Sequence, residues 1–288
     1  MSELARRIAF AVVAAPAAIA VIWFGDAALA TLLGAVAALG TWEFYRIARA
    51  GGADPLGAPG IVGAAMLPLL VHAHYLRVFT TPPVVGLLAV LALLGSAIWL
   101  RGVAGKPLLA VATTVLGVLY VGAPLCYGYA LRYHDYAVGR GAGTAVVMLP
   151  VLLTWASDIG AYAVGRLAGR RKLIPSVSPG KTIEGALGAL ATTVVVALLY
   201  ERFALRPFAQ LGMAPWWAAA FGLLVSVAAQ IGDLAESLLK REAGVKDSSH
   251  LLPGHGGILD RFDSLFFVLP LAYLLLGWIL LPVVGAAG

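Results

Sequence analysis

The sequence has a single cysteine in 288 residues and very little charge. With Cys126 alone, no internal disulfide framework and no cysteine-based metal site can form. Set in an apolar stretch, Cys126 reads as a small buried hydrophobe. Charged residues make up 12% of the chain, half the ~25% of a typical soluble domain. Hydrophobic residues make up 61%, and the mean hydropathy is +0.93. These shortages exclude a water-soluble globular enzyme, a disordered chain and a nucleic-acid-binding domain. There is no tandem repeat of fixed period and no low-complexity tail. Acidic residues are fewer than basic ones (14 against 20), giving a net charge of +6. In a chain this apolar the excess has a topological meaning, because membrane proteins gather Lys and Arg in cytoplasmic loops.

A helix needs about 20 apolar residues to cross the hydrocarbon core of a bilayer. Nine runs qualify: 8–24, 27–45, 60–76, 84–100, 107–131, 144–165, 183–200, 214–235 and 264–284. The expected fold class is therefore all-α, a polytopic integral membrane protein of about nine transmembrane helices with a polar site on the cytoplasmic side. Arg6 and Arg7 before the first run also suit a signal peptide. Against that, the run is long, and only Gly25 and Asp26 separate it from the next. With the N-terminus inside, Arg77, Arg132, Arg140, Arg202 and Arg206 fall outside, and the other fifteen of the 20 Lys and Arg fall on cytoplasmic segments. That bias predicts a cytoplasmic N-terminus and, with nine spans, an outward C-terminus.

Two regions are expected. Residues 1–143 hold about five spans with few polar groups, a scaffold and dimer region; residues 144–288 hold about four spans, cytoplasmic loops and the catalytic groups. His72, His74 and His134 sit at or near span ends with no ligand spacing around them. Trp23, Trp42, Trp99, Trp216 and Trp217 fall where an aromatic belt would. The 34 glycines suit close helix approach in lipid.

From Thr154 onward polar groups appear where lipid is expected. Asp158 lies in an apolar helix, followed by Arg166, Arg170, Arg171 and Lys172. A carboxylate at membrane depth costs several kcal/mol unless paired, solvated or metal-bound. Asp233, Glu236, Ser237 and Lys240 recur at i, i+3, i+4 and i+7, which puts two carboxylates, a hydroxyl and an ammonium on one helix face. An ordinary Glu236–Lys240 salt bridge accounts for part of that pattern. Asp233 sits a turn deeper with no basic residue within a turn.

The stretch from Lys246 to Asp263 is broken by Pro253, Gly254, Gly256 and Gly257, which predicts a tight loop re-entering the membrane. Gly256 and Gly257 allow backbone N–H groups close to an anion. Asp233 with Asp260, and Asp263 beside it, supply the hard oxygen ligands that Mg²⁺ takes together with substrate phosphates. His255 suits a general base or a structural hydrogen-bond donor equally, and His250 reads as a surface loop residue. The Ser178-Pro179-Gly180-Lys181-Thr182 loop resembles part of a Walker P-loop, but the first required glycine position is Pro175. What remains is Lys181 and Thr182 just before a helix N-terminus, which favours phosphate; a basic loop touching anionic headgroups has the same composition.

The run Ser237, Lys240-Arg241, Lys246-Asp247, Ser249, Pro253, His255-Gly256-Gly257, Asp260-Arg261 and Asp263 resembles, without departure, the signature of the CDP-diacylglycerol synthases, also called phosphatidate cytidylyltransferases. A second block, from Asp158 and Tyr162 through Arg166, Lys172, Pro175 and Ser178 to Gly185, is similar to the same family. It departs at Gly180, where a lysine is common, and at Ile183, where a tryptophan is common. The resemblance covers residues 150–270; the N-terminal third is similar only in hydropathy.

The resemblance implies transfer of CMP from CTP to phosphatidate, with Mg²⁺ and a second, monovalent cation (K⁺). It also implies membrane lipid and a second copy as partners, no nucleic acid, and a bacterial inner or eukaryotic endomembrane location. With Asp233 added from its place on the helix face, the resemblance makes Asp233, Ser237, Lys240, Asp260 and Asp263 the catalytic set, with Asp233, Asp260 and Asp263 as Mg²⁺ ligands. Substrate contacts fall to Asp158, Lys172, Ser178, Lys181, Thr182, Arg241, Lys246, His255, Gly256, Gly257 and Arg261. Two other readings use the same residues: a CTP-dependent polyprenol- or phytol-type lipid kinase, and an ion or nucleotide transporter. Transporters place midplane charges in paired repeats, whereas these charges crowd one side and one half of the chain.

Overall fold

The structure is a computed structural model; it describes residues 3–251 and 256–283, with side chains from residue 12 onward. Pro253, Gly254 and His255 lie outside the described residues, and so do the expectations attached to them. Among the described residues the chain forms α1 (Glu3–Phe24), α2 (Asp26–Ala50), α3 (Gly57–Tyr75), α4 (Pro83–Leu100) and α5 (Pro107–Arg132). After α6 (Gly139–Ala168) comes a two-stranded ribbon, β1 (Lys172–Ile174) and β2 (Ser178–Thr182), then α7 (Ile183–Ala209). β3 (Leu211–Gly212), α8 (Pro215–Glu242), α9 (Leu259–Ile279) and β4 (Leu281–Pro282) complete the order.

Eight of these helices, α2 to α9, are long and apolar enough to span a bilayer. The first expected span coincides with α1. The chain is an all-α, multi-pass membrane protein. Helices suit this setting because every backbone N–H and C=O is satisfied within the segment, and lipid offers no alternative partner. Proline at 16, 68, 150 and 270 sits inside helices, as membrane helices tolerate. α4 shows the solvent most plainly. Only Ala97 of its 18 residues is buried, while Leu87, Leu88, Leu91 and Leu94 lie open. Such an apolar surface suits acyl chains.

The chain divides into two compact units, Met1–Tyr129 with Leu239–Phe262, and Ala130–Leu238 with Asp263–Gly288. In the first, Tyr45 on α2 is fully buried and its hydroxyl donates to the Thr114 carbonyl at 2.7 Å. The Thr114 hydroxyl accepts from the Leu56 N–H at 2.7 Å and donates to the Ala110 carbonyl, so α2, α5 and the start of α3 are tied through one buried threonine.

In the second unit α6 and α7 pack through small residues. A Cβ on Gly160 would come within 2.5 Å of Thr192 Oγ1, and one on Gly188 within 2.4 Å of Val164. Lipid provides little hydrophobic drive between helices, so such close approach supplies the dispersion contact that holds them. Ser157 on α6 and Ser226 on α8 share a hydrogen bond at 3.0 Å, both fully buried.

The seventh span was expected to end at residue 200, but α7 runs on to Ala209 through a π-helical stretch, Glu201–Ala209. The physical reason is neutralisation: Glu201, 5% exposed, accepts from Arg206 Nε at 2.5 Å, so the charged turn continues the helix. The Ser178–Thr182 segment, expected as a loop, is a strand: it pairs antiparallel with Lys172–Ile174, Lys172 opposite Thr182 and Ile174 opposite Ser178. Its prolines flank the pairing or fall on an irregularity, so the ribbon tolerates them.

Candidate active site

In the second unit, the ribbon and α7 are joined by a single residue. Thr182 ends β2 and is the N-cap of α7, its hydroxyl accepting from the Gly185 N–H at 3.1 Å. Glu184, in the first turn, reaches back the other way. Its Oε2 accepts from the N–H groups of Arg170 (3.0 Å) and Arg171 (3.1 Å), and its Oε1 from Arg171 Nε (3.2 Å). The ribbon is thereby clamped at its base against the helix that follows it.

This clamp aims Lys181. Its Nζ lies 2.5 Å from Asp233 Oδ2 on α8, and Asp233 Oδ1 accepts from the Ser237 hydroxyl at 3.4 Å. The basic partner that Asp233 lacks within its own helix comes from the ribbon. Asp158, Lys181, Thr182 and Asp233 line one cavity of about 580 Å³, together with Tyr162, Arg166, Gly180 and Gln230. Arg166 Nη1 donates to the Tyr162 hydroxyl at 2.8 Å, and Gln230 Nε2 donates to Ser226 at 3.3 Å. Sequence reasoning gave no role to Gln230, although it stands one turn before Asp233 on the same helix face. Lys172 and Ser178 lie on the ribbon but do not line the cavity. Gly180 does line it, and a Cβ there would meet no atom within 4 Å.

Asp263 is on α9. Its backbone carbonyl lies 2.6 Å from the Cβ that Gly232 lacks, and the Ser264 hydroxyl donates to the Ala229 carbonyl at 3.1 Å. α8 and α9 therefore meet at the residue preceding Asp233, and an alanine at 232 would not fit.

In the first unit, Asp260 collects donors. Lys240 Nζ is 2.7 Å from Oδ1, and Oδ2 accepts from the Ser248 N–H (3.1 Å), the Ser248 hydroxyl (2.8 Å) and the Gly257 N–H (2.8 Å). The pair is well covered, at 12% and 9% side-chain exposure. Lys240 thus finds its partner on α9. Gly256 has φ +76°, a left-handed conformation, and a Cβ there would lie 2.7 Å from Asp260 Oδ2; glycine is required on both counts. The Gly257 N–H, expected to face an anion, is taken up by Asp260. Arg241, Lys246 and Arg261 are exposed.

The residue that sequence reasoning missed is Glu43. It is fully buried in α2. Its Oε1 accepts from the Ser249 hydroxyl and the Ile258 N–H (3.1 Å); its Oε2 accepts from the Ser248 hydroxyl (3.1 Å) and the Leu259 N–H (2.6 Å). The rule that singled out Asp158 and Asp233, a carboxylate inside an apolar run, applies equally to Glu43.

Among the described residues no three His, Cys, Asp or Glu side chains cluster as a metal cage. Mg²⁺ usually takes one or two carboxylates plus substrate phosphates and water. Asp158 and Asp233 on the cavity wall fit that lesser demand. Asp260 as described is filled by protein donors, so it takes a metal only by giving up some of them.

The cavity and the signature residues are the equipment of a membrane-embedded nucleotidyltransferase, and comparison with known proteins agrees. A sequence profile described as the cytidylyltransferase family matches residues 5–279, and the chain belongs to that family. It is 31% identical over 280 residues to the phosphatidate cytidylyltransferase of Bacillus subtilis (strain 168), covering 96% of this chain and 98% of that protein. It is 43% identical over 162 residues to the protein of that name from Staphylococcus epidermidis (strain ATCC 12228 / FDA PCI 1200), covering 56% of this chain and 57% of that protein. The match to that of Staphylococcus aureus (strain COL) is also 43% over 162 residues.

Proposed function

We propose that the protein is a phosphatidate cytidylyltransferase, converting CTP and phosphatidate to CDP-diacylglycerol and pyrophosphate. The observation that carries this reading is the cavity lined by Asp158, Lys181, Thr182 and Asp233 in a chain of the cytidylyltransferase family. A phosphatidate oxygen attacks the α-phosphorus of CTP in line and pyrophosphate departs. The phosphomonoester is already nucleophilic, so the protein has only to position the reactants and neutralise charge.

Lys181 supplies positive charge at the cavity, oriented by Asp233 and by the clamped ribbon. Thr182 sets the helix start, and its hydroxyl already serves Gly185, so any phosphate it meets shares that oxygen. Lys240, Arg241, Lys246 and Arg261 neutralise the remaining phosphate charge, with Lys172 and Ser178 contributing from the ribbon. Of the carboxylates expected to hold Mg²⁺, Asp233 lies on the cavity wall; with Asp158 it would hold the ion there, and the ion would withdraw charge from the phosphates. A monovalent cation (K⁺) is the second ion of this reading. The protein works as a homodimer in a bacterial inner membrane, with residues 1–143 as scaffold and the N-terminus and site loops cytoplasmic.

The test is incubation of the purified protein with CTP labelled in the α- and γ-phosphates, phosphatidate and Mg²⁺. α-Label in the lipid with γ-label in pyrophosphate supports the proposal. Label from the γ-phosphate in the lipid, with release of CDP, replaces it with a lipid kinase.

A further inference from the structure

Glu43 ties together two stretches of the signature segment that are separated in sequence. Ser248 and Ser249 donate to it from one side, and the N–H groups of Ile258 and Leu259 from the other. A carboxylate buried in an apolar helix is stable only when its oxygens are well supplied with donors, and here each oxygen has one hydroxyl and one backbone amide. The enclosure is tight: a Cβ on Gly257 would stand 2.0 Å from Ser248 Oγ and 2.5 Å from Glu43 Oε2. Ser248 Oγ lies 3.1 Å from Glu43 Oε2 and 2.8 Å from Asp260 Oδ2. Its single proton is therefore shared between the two carboxylates, and Glu43 stands one hydroxyl away from the Asp260–Lys240 pair.

We propose that Glu43 is a positioning residue for residues 248–249 and 258–260. It holds the Ser248 and Ser249 hydroxyls and the backbone at Ile258–Leu259, so Asp260 and Lys240 hold their geometry before substrate arrives. Glu43 touches no substrate in this account. The role deepens the proposed function and rests on it, because the segment it holds carries the family signature.

The chemistry of glutamine makes the point testable. Whichever way a glutamine amide at 43 is turned, its NH₂ faces a backbone N–H, that of Ile258 or that of Leu259. Neither amide can rotate to accept, so two donors confront each other. Glu43→Gln therefore breaks the clamp despite its equal shape. Ser249→Ala removes one donor and adds no buried polar atom.

The experiment uses full-length protein in detergent with phosphatidate micelles. It measures hydrogen–deuterium exchange of peptides covering 256–260, kcat and KM for CTP, and thermal unfolding. For Ser249→Ala, exchange at Ile258 and Leu259 should rise about tenfold, the scale of one lost hydrogen bond. Its kcat should fall by a similar factor, with KM for CTP nearly unchanged and the unfolding temperature lowered by no more than about 2–4 °C. For Glu43→Gln the same changes should be larger. If Glu43→Gln does not fold, Ser249→Ala decides alone. Unchanged exchange at 258 and 259 overturns the proposal. So does lower thermal stability with wild-type kcat in the folded fraction, because a merely structural group would give that result. Wild-type protein without cytidylyl transfer sinks the proposed function instead, and the exchange data then judge the clamp separately.

Discussion

Lys181, the penultimate residue of β2, holds its ammonium 2.5 Å from Oδ2 of Asp233 on α8. The two residues lie 52 positions apart in the chain, and both face the same cavity. Replacing Lys181 by methionine removes a cation from the cavity that the proposed function assigns to substrate phosphate. A loss of about 10²-fold in kcat/KM for CTP is expected, on the scale of removing one preorganised electrostatic contact. The double variant Lys181→Met, Asp233→Asn should fall short of the sum of the single losses by about 0.5–3 kcal/mol, as contacting residues do. Steady-state kinetics of the four proteins measure this directly.

Asp260→Asn is expected to abolish turnover and also to lower stability, by up to about 3–5 kcal/mol, because it removes a charge that the covered Lys240 ammonium lies against. Adding Lys240→Met should recover part of the stability and none of the activity. Thermal unfolding in detergent, read beside the assay, separates the two effects.

Thr182→Val removes the hydroxyl that caps α7. A loss of about 1 kcal/mol follows, a fall of about 2–4 °C in unfolding temperature for a chain of this size. Thr182→Ser should keep the wild-type value. Should the serine variant also lose activity, the methyl group and not the cap matters.

Gly180 offers a gain instead of a loss. The signature that this segment resembles has lysine there, and a side chain at 180 would meet open space at the cavity wall. Gly180→Lys should lower KM for CTP at low ionic strength, and the gain should shrink as salt rises, since exposed charges are screened within about 10 Å at 0.1 M. A salt series of initial rates is the check.

The topology has its own test. On a Cys126→Ala background, cysteines placed at 7 and 246 should react with an impermeant thiol reagent from the same face of the membrane. Labelling from opposite faces overturns the orientation drawn from the Lys and Arg distribution.

Much of this architecture was legible in advance, for physical reasons. An apolar run of membrane length has few other uses, so the expected spans and the observed helices coincide closely. Asp158 and Asp233 declared themselves because charge inside such a run demands a partner, and Lys240 and Asp260 through their spacing and the signature they belong to. The partners themselves were harder to see. Nothing in the spacing of Lys181 and Asp233 reveals that a ribbon will carry one to the other. The ribbon was hidden too, since Pro175, Pro179 and Gly180 read as breakers and only a few residues pair. Glu43 was passed over because it stands alone in the apolar N-terminal third, with its donors some two hundred positions downstream. The extension of α7 past residue 200 depended on Glu201 and Arg206 cancelling each other, a pairing invisible to any hydropathy average.

The bareness of α4 has a bearing on where the protein can work. With 18 residues, the helix is a greasy rod about 27 Å long, slightly shorter than the ~30 Å depth of an average bilayer interior. With only Ala97 buried, little of its surface is braced by the rest of the chain. Shortfalls of this kind are met by local thinning of the membrane or by flanking residues stretching toward the headgroups. Acyl-chain length thereby becomes a mechanical variable for the protein, set by the same lipids whose synthesis its family serves.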